Sequence, residues 1–345
     1  MDQWVTNSKC PEVKSVKGGM GRMRHNGKVN IGILGAGDIS NKFADACKRV
    51  EKANLIAVAA RSGKRAEAFA KKHEIERSYG SYMDMMNDPD VEAVYIGVVN
   101  TGHMELIEMA AGAGKAIFCE KPALMDYGHM KRFNEVIEYS NVLFMEGVWT
   151  LHLPAIRKAK EWVEQGLIGR LCMSDITFCF EADPEVKPRV FDKELYGGGL
   201  VDVGVYCIAV MIMMTGSYPT DIQAMEYMGV ESEVDEYGVA LLRFPRNVIG
   251  TVNYGVGVAR NQKSVLFGEN GHIELTDFWD CQKIERYNKE NELMETFTSK
   301  HENGFVYELQ HFCELYLEGL MESDVNTIAN TLEYVEIYEK IRKCR

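Results

Sequence analysis

The stretch GILGAGDIS, residues 32–40, decides the fold. It closes an apolar, β-branched run that begins at Lys28 (KVNIGIL) and opens a stretch with helical spacing, DISNKFADACKRV. Between them lie Gly35, Ala36 and Gly37, with Asp38, Ile39 and Ser40 starting the helix. Strand, glycine turn and helix in that order make a dinucleotide-binding turn. Gly35 permits the tight turn, Gly37 lets the backbone approach a pyrophosphate, and the helix N-terminus favours negative charge. Ser40 stands in the third place, where glycine is usual, so the motif is identified by its flanking strand and helix.

Outward from this turn the alternation continues: NLIAVAA, SGKRAEAFAKKH, VEAVYIGVV, HMELIEMAAGAG, KAIFCE, a helix near 127–139, and NVLFME. Strands alternating with amphipathic helices imply βαβ units, hence an α/β, doubly wound parallel sheet. After residue 168 the pattern changes to RLCMSDITFCFEA, DIQAMEYMG, GVALLRFP, VIGTVNYGVG and SVLFGENGHIEL, strands in succession without helices between them. That predicts an α+β domain with a large, mostly antiparallel open sheet. The expected organisation is a flexible extension over 1–27, a dinucleotide-binding domain over 28–148, and a second domain over 149–345, which the resemblance described below makes the substrate-binding and dimerisation domain.

The 345 residues carry 39 basic and 51 acidic side chains, a net charge of -12. Such a field repels nucleic acid and anionic membrane and leaves a small neutral substrate and a clamped anionic cofactor as partners. Nine scattered cysteines, without C-x-x-C or short Cys/His spacing, argue against structural zinc, so no metal is expected. With no apolar run of spanning length and no signal-like core in the first 27 residues, they point to reduced thiols and a cytoplasmic location.

The second strand runs into Arg61, Ser62 and Arg65 where an acidic residue usually holds the adenosine ribose. A guanidinium grips a 2′-phosphate that an Asp would repel, so NADP (NADPH) is favoured and NAD remains possible.

A second signal is IFCEKPALM, residues 117–125, an apolar strand ending in Glu120, Lys121 and Pro122. Buried Glu and Lys are rare unless paired, and proline cannot continue a central strand. Packing alone does not ask for this triplet.

With the glycine turn at 35–40 and CEKPALM at the end of the fifth strand, the chain resembles the glucose-fructose oxidoreductase / inositol dehydrogenase (Gfo/Idh/MocA) family. VVNTGHMELIEMAAGAGKAIFCEKP, MEGVWTLHLPAIRKAKEWVEQGLIGRL, GGGLVDVGVYCI, GENGHIELTDFW and GFVYELQHFCELYLEGL occur in the family's order. The later motifs are similar to the branch containing dimeric dihydrodiol dehydrogenase and NADP-linked aldose dehydrogenases, and Tyr206 matches that branch where other members carry His. Val98-Val99 replaces a common Thr-Pro pair.

The resemblance implies a Rossmann domain, an oxidoreductase activity and a homodimer or higher homo-oligomer. It implies that Asn100, His103, Glu120 and Lys121 contact the cofactor together with the glycine turn. Trp149, Phe180, Trp279 and Phe305 take the places that line the substrate pocket, where aromatic faces suit a sugar, polyol or dihydrodiol. Catalysis falls to Lys121, Asp202 and Tyr206. A phenol titrates near pH 10, and a lysine cation beside it stabilises the phenolate, which makes Tyr206 a usable acid/base with Lys121 as its helper. Asp202, four residues before Tyr206 on a presumed helix opened by Gly197–Gly199, shares its face and orients Lys121 or a substrate hydroxyl. The expected activity is NADP-dependent hydride transfer to or from a CH–OH carbon. A catalytically silent nucleotide sensor and an NAD-dependent glycosidase of the same superfamily are the alternatives.

Overall fold

The computed structural model describes residues 27–185 and 187–345; the expected extension, Gly27 apart, lies outside them. Contacts divide the described chain into two compact units, one of residues 27–149 and 302–335, the other of 150–185, 187–301 and 336–345. Residues 302–335 return to the first unit, so the division is not the single cut after residue 148 that the strand pattern suggests.

The first unit alternates β1 (Val29–Leu34), α1 (Asp38–Cys47), β2 (Ala53–Ala59), α2 (Gly63–His73), β3 (Arg77–Tyr79), α3 (Tyr82–Met86), β4 (Ala93–Ile96), α4 (His103–Gly112), β5 (Ala116–Glu120), α5 (Tyr127–Ser140) and β6 (Phe144–Gly147). The strands pair in parallel in the order β3-β2-β1-β4-β5-β6. Chain order reverses between β1 and β4, and open sheets of this kind bind ligands beyond the strand ends at that point. Every residue of β1 is buried, as a strand covered on both faces requires. One covering layer is aromatic. Phe43 of α1 stacks on Tyr95 of β4 at 3.6 Å, and Phe118 of β5 meets both edge-on at 5.5 Å. Each such pair adds about 0.5–1.5 kcal/mol beyond the area buried. Helix α8 (Phe305–Glu318) closes this layer, with Phe312 at 5.1 Å from Phe118.

In the second unit α6 (Pro154–Glu164) and β7 (Leu171–Cys179) precede a buried helix, α7 (Val205–Thr215). Seven strands follow: β8 (Asp221–Met228), β9 (Asp235–Phe244), β10 (Val248–Gly255), β11 (Ser264–Gly268), β12 (Gly271–Thr276), β13 (Lys283–Asn288) and β14 (Leu293–Thr298). They form one sheet with β7, in the order β14-β13-β12-β11-β7-β10-β9-β8, antiparallel except for β7 with β10. The run SVLFGENGHIEL is two strands, β11 and β12, turning at Glu269–Asn270. α7 is apolar all round and buried except at Met213, the signature of a helix enclosed by its own protein. The helical run Lys193–Thr215 is long and apolar enough to cross a membrane, but most of its apolar window is buried inside the protein. β8 alternates exposed and half-buried residues and most of β9 alternates buried and exposed ones, and Met225, Tyr227, Tyr237, Val239 and Leu241 lie exposed. The eight described cysteines are free thiols.

Candidate active site

Gly35 ends β1 with φ +106°, a conformation that disfavours any side chain, and a Cβ there would lie 2.7 Å from the Gly97 carbonyl. Gly37 precedes α1 as its N-cap and offers no side chain to the helix amides. A Cβ on Gly37 would meet only the Gly97 carbonyl, at 4.0 Å, so the space before the helix end is open. Ser40, in the third glycine's place, is fully buried and its Oγ donates to the Gly97 carbonyl at 3.4 Å. Asp38 is exposed in the first turn, and Ala36 and Ile39 are half-buried. Arg61, Ser62 and Arg65 are exposed where β2 runs into α2, and Arg65 Nη2 donates to the Ala36 carbonyl at 3.1 Å. Uncapped amides, an open cradle at Gly37 and neighbouring guanidinium groups fit a dinucleotide and its phosphates.

The turn after β4 holds Asn100, which is buried, and leads into His103. The His103 ring is buried with Nδ1 2.9 Å from the Pro122 carbonyl and Nε2 3.1 Å from the Val98 carbonyl. The ring therefore braces this loop against the Glu-Lys-Pro turn, whose Lys121–Pro122 bond is cis.

Glu120 turns inward. On β5 it lies two residues beyond Phe118 and so on the same, covered face. Its Oε1 accepts from the Tyr95 hydroxyl at 2.6 Å. Burial pushes its carboxyl up to about 6, tempered by the Tyr95 bond and the Lys121 charge. Two carboxyls buried more deeply than Glu120 belong to this unit. Glu146 accepts from the Ala123 amide (2.8 Å) and Thr331 Oγ1 (2.6 Å), and burial pushes it up to about 7. Glu308 is wholly buried, neither oxygen has a hydrogen-bond partner among the described residues, and burial, then the Glu120 charge, holds it well above the carboxylate range. Lys121, next along the chain, is half-buried. Trp149 and Phe305 stack with centroids 5.6 Å apart.

In the second unit Asp202 is not on the regular helix that its spacing from Tyr206 suggests. Leu200–Gly204 form a π-type turn that runs into α7, an irregularity frequent at functional sites. The Asp202 carboxylate accepts from Arg189 Nη2 at 2.7 Å. Tyr206, in the first turn of α7, is buried and lies 5.7 Å from the Phe178 ring. Phe178 in turn stacks on Trp279 at 5.1 Å and approaches Phe180 at 6.3 Å. The four expected aromatics thus fall in two groups: Trp149 with Phe305 in the first unit, Phe180 and Trp279 in the second. Phe178, beside the Tyr206 ring, and Arg189, bonded to Asp202, are not among the residues expected from the sequence. Phe178 had a signal, since it lies near the end of β7, two residues before Phe180; Arg189 lies in a run without periodicity and had none.

A parallel sheet in dinucleotide-binding order with an open phosphate turn, in one chain with an aromatic-lined antiparallel unit, defines an NAD(P)-dependent oxidoreductase. Comparison with known proteins narrows the class. The family model described as "Oxidoreductase family, NAD-binding Rossmann fold" matches residues 29–148, and the "GFO/IDH/MocA C-terminal domain" matches 156–274. The chain belongs to the Gfo/Idh/MocA family. It is 31% identical over 320 residues to mouse trans-1,2-dihydrobenzene-1,2-diol dehydrogenase, covering 90% of this chain and 95% of that one. The human protein of the same name is 28% identical over 320 residues, with coverage of 90% and 95%. Among solved structures, levoglucosan dehydrogenase in complex with NADH and levoglucosan superposes with a TM-score of 0.84 at 20% identity, over 92% of this chain and 97% of that one. A 3-ketoreductase from Actinomadura kijaniata in complex with NADP and TDP-benzene gives 0.81 at 22%, over 92% and 97%. At these identities the likeness to the solved structures is one of fold.

Proposed function

We propose that the chain transfers a hydride between NADP and the carbinol or carbonyl carbon of a cyclic sugar, a polyol or a trans-dihydrodiol. The observation that carries this reading is the 31% identity spanning 95% of mouse trans-1,2-dihydrobenzene-1,2-diol dehydrogenase. Gly35, Gly37 and the α1 amides would hold the pyrophosphate, and Arg61 and Arg65 the 2′-phosphate. When bound, the nicotinamide supplies the hydride acceptor or donor. Tyr206 takes or returns the hydroxyl proton at Oη, and the Lys121 cation favours the phenolate and attracts the substrate oxygen. Asp202, fixed by Arg189, orients a substrate hydroxyl, and the Phe178, Phe180 and Trp279 faces exclude water and suit an apolar ring. The exposed apolar face of β8 and β9 supports pairing of two copies, which sedimentation at micromolar concentration checks.

The test is a screen of aldoses, polyols and trans-dihydrodiols with NADP and with NAD, following reduced nicotinamide at about 340 nm. Turnover with NADP preferred is expected. Turnover on none of these classes would refute the activity, and a preference for NAD would refute the cofactor assignment.

A further inference from the structure

We propose that Arg345 is a positioning residue: it holds the Asp235 carboxylate on the Leu200 amide and so fixes the turn that presents Asp202 and Tyr206. Leu200 opens the π-type turn, and its N–H donates to Asp235 Oδ2 at 2.6 Å. Asp235 begins β9 and is 6% exposed. Gly198, at φ +114°, lies so close that any Cβ there would collide with the Asp235 carboxylate, so the chain leaves room for this acceptor.

Asp235 is not alone. The Glu226 side chain from β8 is 1% exposed and accepts from the Tyr254 hydroxyl of β10 at 2.9 Å. Two adjacent buried carboxylates repel, and one takes up a proton unless a cation intervenes. Arg345, three residues beyond α9 (Ile328–Arg342), is that cation. Its Nε lies 2.5 Å from Glu226 Oε2, and its Nη2 lies 3.3 Å from Glu226 Oε1 and 3.2 Å from Asp235 Oδ1. Burial pushes the Asp235 carboxyl up to about 6 and Glu226 adds to this, while the Leu200 amide and Arg345 oppose it. The charged or titratable groups around Asp235 are thus Glu226, Tyr254 and Arg345, with Asp202 on the turn itself paired to Arg189. Without Arg345 the Asp235 carboxyl moves further up and protonates toward neutral pH. A neutral acid is a weaker acceptor than a carboxylate, so the Leu200 amide is released.

The link to turnover rests on the proposed role of Tyr206; the link to the turn does not. Amide exchange by mass spectrometry, on the full chain between about pH 5.5 and 8 and corrected for the intrinsic pH dependence, separates the two. In Arg345→Met the peptide covering 198–206 should lose protection about tenfold or more, increasingly at lower pH. Peptides from residues 29–59 should be unchanged. Arg345→Lys should restore most of the protection. Asp235→Asn/Arg345→Met should lose the pH dependence, since an amide oxygen accepts without titrating. With a verified substrate, Arg345→Met should lower kcat and move its acid limb upward while leaving the cofactor KM alone. Wild-type protection of 198–206 in Arg345→Met overturns the proposal, as does a loss independent of pH. If Arg345→Met does not fold, Asp235→Asn alone decides, and protection as pH-dependent as in the wild type refutes the proposal. Absence of turnover in the wild type counts against the proposed activity only.

Discussion

Gly35, Gly37 and Ser40 lie within six residues of one another, and strand, turn and helix suffice to present them to a ligand. The turn leading into Tyr206 is held differently, by four separate segments: Phe178 lies beside the Tyr206 ring, Arg189 bonds Asp202, Asp235 bonds the Leu200 amide and Arg345 bonds Asp235. The first region depends on local conformation, the second on long-range ion pairs and ring contacts. Substitutions in the phosphate turn should therefore act on cofactor affinity alone. Those around Tyr206 should act on the rate, and do so as a network.

The largest effect falls on Lys121. Lys121→Met should cut turnover by about 10²–10⁴, the span for losing general acid/base catalysis. Under the proposed mechanism Lys121 and Tyr206 act as a unit, so the double variant with Tyr206→Phe should be little slower than either single one. Multiplicative losses, measured as kcat of all three variants, would separate the two residues and break the network picture.

A smaller effect belongs to the local region. Replacing Arg61 and Arg65 together by Gln should weaken NADP by about 1.5–3 kcal/mol, roughly 10- to 100-fold, and barely alter NAD. Titration by fluorescence quenching reads both constants. Equal affinities for the two cofactors in the unmodified protein would remove the role of the guanidinium pair.

The smallest is a pH effect on stability. Glu120 is pushed up to about 6, Glu146 to about 7, and Glu308 well above its ordinary range. A carboxyl raised on folding favours the folded state below its unfolded value, near 4.3, and loses that contribution as pH climbs through the folded value. The first unit should therefore lose stability from about pH 4.5 upward through neutrality. Glu308→Gln removes one such group, so the fall in Tm with rising pH should shrink by a few degrees. An unchanged slope in thermal melts would mean that the folded state does not hold Glu308 protonated above its ordinary range.

The first unit's strands and phosphate turn were legible because buried parallel strands and their helices have distinct periods, and because the glycine turn is contiguous. The antiparallel sheet was legible from its alternation. Three features were not. For Glu120 strand parity gives the face, that of Phe118, but not the partner, since Tyr95 lies a strand away. Asp202 and Tyr206 have the spacing of a regular helix, which does not announce the π-type turn at Leu200–Gly204 or its long-range bonds, Leu200 to Asp235 and Asp202 to Arg189. Residues 302–335 look like any helical stretch until Phe312 is seen against Phe118.

The central claim is that Tyr206 carries the proton on a site whose cofactor affinity is set elsewhere. Its most direct test is Tyr206→Phe, with kcat on a verified substrate and NADP dissociation measured on the same preparation. The account predicts a loss of about 10²–10⁴ in kcat with NADP affinity nearly unchanged. Retention of most of the activity would contradict it and move the proton to another group, such as a water held by Asp202.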